Sequence, residues 1–155
     1  MNRFLTFWIL GISILLGCKK DNIPEIKLDV VYLNDLGPCF PIFSSTSSSG
    51  YVINDSKSFQ TFRDSTVSKN IACDTASLPN IDFSQYTLIG ITTKGTCSLH
   101  NLKEVIDDKE HLKYIYKIQV ISTGSCYVLA ITMNWALVPK LPSNYNVAFE
   151  ILTRK

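Results

Sequence analysis

The chain has 155 residues, 46% hydrophobic, 11% aromatic and 18% charged, with a formal net charge of +2. That length suits one domain with a sizeable core. The aromatic content and near-neutral charge argue against a disordered chain and against a protein that holds nucleic acid on a strongly basic surface.

Arg3 supplies a positive charge just before an apolar run from Phe4 to Leu16, 13 residues long. Such a run has the length of a signal-peptide core and is too short to cross a bilayer as a helix. A helix packed into a domain would be amphipathic. This run is apolar all round and switches abruptly to Lys19, Lys20, Asp21 and Asn22. It ends in Leu15-Leu16-Gly17-Cys18. The phrase resembles the lipobox of bacterial lipoproteins, where Leu, a small spacer and Gly or Ala precede a cysteine. The resemblance implies cleavage before Cys18 and lipidation of its thiol, which only a cysteine side chain can offer. Each buried methylene of such a lipid adds about 0.8 kcal/mol of membrane affinity. Lys19 follows the cysteine and no Asp stands there, which by the sorting rules of such lipoproteins implies the outer membrane, on its periplasmic or surface side. The expected organisation is a signal peptide over 1–17, a lipid-anchored tether over 18–28 and one domain over 29–155.

Four cysteines remain: Cys39, Cys73, Cys97 and Cys126. An even set in an oxidising envelope compartment reads as two disulfides, with three possible connectivities. Cys97 follows Gly95-Thr96 and Cys126 follows Gly124-Ser125, each just after a turn signal. These matching contexts favour Cys97–Cys126, with Cys39–Cys73 by elimination. The chain has no CxxC and no finger-like ligand spacing, so we expect no metal and no cofactor.

Along the domain, residues 28–33 are β-rich and predict a strand. Residues 34–50 hold Gly37, Pro38, Pro41 and a serine run from Ser44 to Ser49, a loop composition. Tyr51–Ile53 predicts a short strand. Asn54-Asp55-Ser56 then offers caps for a helix from Lys57 to about Ser65, with Phe59 and Phe62 on one face. Strands are predicted over 86–93, 97–106, 111–122, 127–138 and 145–153. Residues 97–122 read as a hairpin turning at Asp107–Glu110, with Leu99, Asn101, Lys103 and Val105 on one face. The expected fold is α+β: one short helix, then a mostly antiparallel sheet of about five strands.

Within this order stand Ile81-Asp82-Phe83-Ser84-Gln85-Tyr86-Thr87-Leu88-Ile89-Gly90 and, later, Val138-Pro139-Lys140-Leu141-Pro142 followed by Tyr145-Asn146-Val147. Together they resemble the C-terminal domain of the PrcB family of protease-complex lipoproteins, over roughly residues 51–152. The chain departs from that pattern at Lys94-Gly95-Thr96-Cys97, where family members usually carry a Gly-Gly-Tyr-like turn. The resemblance implies a non-enzymatic partner or maturation factor of a surface protease, and it transfers no catalytic residue.

The remaining polar residues read as structural. Asp82 is expected to cap the turn before Tyr86. Asp107 and Asp108 supply too few ligands for calcium and read as a solvated turn. His100, paired with about residue 119, and His111, exposed at the turn, are not expected to share a metal. Trp135, Tyr127, Tyr145 and Phe149 are expected to pack the sheet against the helix rather than form an exposed patch. The sequence shows no G-x-S-x-G elbow and no H-E-x-x-H motif. The function expected is therefore a non-enzymatic binding or assembly partner, anchored to the membrane through Cys18 and engaging an envelope protein, with no nucleic acid. The alternatives are a small envelope hydrolase using His100 or His111 as base, or a protease inhibitor presenting the 44–50 loop.

Overall fold

A computed structural model describes residues 25–33, 50–67 and 79–154. The signal segment, Cys18, the serine run, Cys39 and Cys73 lie outside the described residues.

The frame is one long β-hairpin folded in half. Its first arm is β4 (Tyr86–Thr96) and β5 (Ser98–Asp108), and its second is β6 (Lys113–Thr123) and β7 (Leu129–Pro139). Near the tip, β5 pairs antiparallel with β6 from Asp108↔Lys113 to Ser98↔Thr123. Further back, β4 pairs antiparallel with β7 from Thr96↔Leu129 to Tyr86↔Pro139. Between these two ladders the ribbon bends, and its halves fall into different sheets. The first arm turns the corner on the single residue Cys97, while the second uses Gly124 to Val128. Corners of this kind, where strands switch sheets at a bend or bulge, are how packed sheets share strands.

Short segments complete both sheets. One has the order β1-β5-β6-β8, with β1 at Ile26–Lys27 and β8 at Asn146–Arg154. The other has the order β2-β7-β4-β3, with β2 at Val31–Leu33 and β3 at Tyr51–Ile53. Among the described residues the pairings are antiparallel except β6 with β8, which is parallel. The connection from β6 to β8 runs through β7 in the opposite sheet, as a parallel pair requires a crossover. The expected α+β character with a mostly antiparallel pattern holds, but a single sheet of about five strands does not. The corner at Cys97 divides the strands between two four-stranded sheets.

Alternation builds the core. Tyr114, Tyr116, Ile118 and Val120 of β6 point inward with Val105 of β5, against Ile89 and Ile91 of β4 and Ala136 and Val138 of β7. The opposite face of the β4/β7 sheet carries Leu88, Met133 and Trp135, and these meet Phe59 and Phe62 of helix α1 (Ser56–Val67). The result is three layers: sheet, sheet, helix. Asp55 caps the helix by accepting the Ser58 N–H at 2.8 Å, which holds its carboxyl below the usual range.

One polar atom sits awkwardly in this core. The Tyr116 hydroxyl is buried and has no hydrogen-bond partner among the described residues. Burial, and then the charge of Tyr32, push its ionisation far above the ordinary tyrosine value. An unsatisfied buried hydroxyl costs free energy. Tyr116→Phe should therefore leave the urea midpoint unchanged or raise it, by up to about 1 kcal/mol in stability. A clear loss of stability would mean that the hydroxyl has a partner.

Candidate binding surface

The corner brings Cys97 and Cys126 within bonding distance, with Cα atoms 5.3 Å apart, and they form a disulfide. This is the pairing expected from their matching local contexts. Backbone conformation explains the residues around it. Cys97 takes a left-handed φ of 63°, and its N–H donates to the Val128 carbonyl at 2.8 Å. Gly124 has a φ of +100°, and a Cβ there would stand 3.1 Å from the Cβ of Cys97. Both the backbone angle and the close approach call for glycine.

Immediately after the disulfide, three large apolar side chains face water. Tyr127 is fully exposed, Val128 is 66% exposed and Leu129 is 61% exposed. Isolated exposed apolar residues are ordinary, but a contiguous run fixed at a stapled corner is the kind of surface that partners cover.

Beside the corner, the edges of β5 and β7 border a cleft of about 440 Å³ lined by Tyr32, Leu99, His100, Asn101, Lys103 and Asn134, among others. Its floor is a buried polar network. The Asn101 amide donates to Thr93 Oγ1 at 3.0 Å and to Asn134 Oδ1 at 2.9 Å. The Asn134 amide in turn donates to Thr93 Oγ1 at 3.0 Å and to the Ile91 carbonyl at 3.3 Å. Asn101 Oδ1 is buried without a partner among the described residues. At the wall, Lys103 Nζ lies 5.5 Å from the centre of the Tyr32 ring. Burial pushes the Lys103 pKa down. The Tyr32 hydroxyl donates to the Lys103 carbonyl at 3.0 Å, and burial, then Glu104, raise its pKa.

The other sequence candidates are scattered. His100 lies on β5 opposite Ile121, two residues from the pairing expected for it. His111 stands past the far end of the same strand, with its side chain 60% exposed and its Nδ1 2.8 Å from Asp108 Oδ2. The two histidines do not meet, and no hydroxyl or thiol among the described residues is hydrogen-bonded to either. Asp82 caps its turn as expected, accepting from the Ser84 N–H at 2.9 Å and the Ser84 hydroxyl at 2.6 Å. Of the four aromatics, only Trp135 packs on the helix. Tyr145 and Phe149 stack on Tyr114 and Tyr116 between the sheets, and Tyr127 is in water. The expectation that all four pack sheet against helix is corrected: Phe149 is on β8, whose inner face meets the other sheet, Tyr145 stands just before that strand, and Tyr127 lies in the corner between β6 and β7.

No family model, curated protein or solved structure matches this chain.

Asp107 and Asp108 also depart from expectation. They belong to β5, and the turn follows at Lys109–Leu112. Burial opposes the ionisation of Asp108. Hydrogen bonds from the His111 ring and backbone, with the nearby charges of His111 and Lys113, outweigh it and hold the carboxyl below the usual range. A lowered native pKa means that the unfolded chain binds the proton more readily. The stabilisation is complete above the unfolded carboxylate pKa and is lost as pH falls through the lower native one. Asp108→Asn should therefore lower the melting temperature at pH 7 and flatten its decline toward pH 3 (about the range where native carboxylates titrate). Parallel curves for variant and parent would refute this.

The apolar corner had only a weak sequence signal: Tyr127, Val128 and Leu129 read as the start of a strand. Their exposure follows from the bend, which no periodicity reports.

Proposed function

We propose that this chain is a non-enzymatic, lipid-anchored protein of the cell envelope whose domain binds or helps assemble a protein partner at the membrane surface. The anchor rests on the run from Phe4 to Leu16 and the phrase ending in Cys18. The observation that carries the binding role is the exposed Tyr127-Val128-Leu129 run, pinned at the corner by the Cys97–Cys126 bridge. Three side chains standing this far into water do not enclose a small molecule, which needs a concave site. They suit the surface of another protein, where an aromatic anchor carries much of the binding energy. A surface protease is the partner implied by the PrcB-like pattern over residues 51–152.

The test is a photo-crosslinking amino acid in place of Tyr127 in the full chain within its own envelope. One adduct of defined mass is expected, and it should disappear when Val128 and Leu129 are changed to serine. A folded, anchored protein that yields no adduct at this position would overturn the binding role.

A further inference from the structure

The sheet with order β1-β5-β6-β8 ends on β8, and no described strand covers its outer edge. An open edge is a row of N–H and C=O groups ready to pair with another strand. Natural edges are usually blunted by proline or a bulge, and β8, Asn-Val-Ala-Phe-Glu-Ile-Leu-Thr-Arg, contains no proline and pairs with β6 without a break from Lys113↔Asn146 to Ile121↔Arg154. Near its end two apolar residues stand in water, Leu152 at 56% and Ile151 at 37% exposed.

The charges on this edge select its occupant. Val147 and Phe149 pack against the core, so alternation puts Glu150, Leu152 and Arg154 together on the outer face of the sheet. Two copies of β8 meeting antiparallel about a two-fold axis must match residues on the same face. Centring the axis on Glu150 sets like charges against each other, and centring it on Arg154 does the same. Of the possible two-fold registers, only the one centred on Leu152 sets Glu150 against Arg154, and it does so twice, with the two leucines facing each other between them.

We propose that β8 pairs with β8 of a second copy of this chain in that register, joining the two four-stranded sheets across the edge. Glu150 then faces the partner's Arg154, and Arg154 faces the partner's Glu150. Leu102 and Gln119 lie in the same row as Leu152, so the dimer carries one strip, Leu102-Gln119-Leu152, repeated across the axis. Within the described strand five residues of each copy pair, 150 to 154, an interface of the weak, transient class.

The test is a charge-swap experiment on the full chain in detergent micelles, read by sedimentation at about 100 µM, a concentration suited to weak association. The parent chain is expected to dimerise. Glu150→Arg alone places arginine against arginine, and Arg154→Glu alone places glutamate against glutamate. Each should weaken dimerisation about tenfold through two lost attractions and two new repulsions. Mixed together, the two variants restore both opposite-charge pairs and should form a heterodimer close to parental strength. That recovery also separates lost pairing from lost folding, since two misfolded variants cannot rescue each other. A parent that stays monomeric, a dimer indifferent to both changes, or a mixture that does not recover would overturn the proposal.

Discussion

Replacing Cys97 and Cys126 together by serine should lower the unfolding free energy by about 3 kcal/mol, measured by urea denaturation without reductant. The bridge spans 29 residues of sequence, and in the chain-entropy model closing a loop of that length removes about 3.5 kcal/mol of unfolded-state freedom. Position raises its importance. The loop it closes is the outer half of the folded hairpin, β5 with β6, and the bridge sits where both arms change sheet. Cys97 is also held at a positive φ, a conformation that L residues avoid. Without the bridge, less holds that bend, so Tyr127 to Leu129 should lose their fixed position as well. Faster amide exchange at 124–129 in the double variant than in the parent, with Val105 and Ile118 changed less, would report this directly. A double variant as stable as the parent would show that the two ladders hold the corner unaided.

Trp135→Ala should cost about 3–5 kcal/mol, the range for removing a large buried aromatic. Trp135 is 2% exposed. Its ring centroid stands 5.4 Å from that of Phe62 on α1 and 5.7 Å from that of Tyr51 on β3. It therefore ties helix, edge strand and central strand into one cluster. The sequence makes room for it at Gly90, directly across the ladder. A Cβ at Gly90 would lie 2.2 Å from Cε3 of the indole, so Gly90→Ala should also destabilise, by overpacking rather than by a cavity. Loss of helical signal at lower urea than loss of sheet signal is expected in Trp135→Ala, because the helix layer depends on this contact. A loss below 1 kcal/mol would mean that the helix layer is held elsewhere.

Much of the local structure was legible before the fold. The cap within Asn54-Asp55-Ser56 (Asp55 in the structure), the phenylalanine face of the helix and the alternation of Leu99, Asn101, Lys103 and Val105 are short-range patterns that the structure shows. The matched contexts of Cys97 and Cys126 pointed to partners now found at a common corner. The hairpin register was off by two residues, because Asp107 and Asp108 look like turn formers. In the structure Asp108 ends the strand and accepts the His111 N–H, which closes the turn later in the chain. The division into two sheets was not legible, since a corner made by one residue leaves the strand pattern on either side intact. The parallel partner of β8 was hidden for a related reason: alternation records which face a residue takes and not which way the strand runs. The apolar knuckle at 127–129 shares this origin, being a product of the bend.

The anchor can be tested most directly by mass spectrometry of the N-terminal peptide of the protein recovered from its own membrane. A chain that starts at Cys18 is expected, its sulfur carrying a diacylglycerol and its mass raised accordingly. A mature chain that starts elsewhere, or one that retains Met1 with an unmodified Cys18, would contradict a lipid anchor at Cys18.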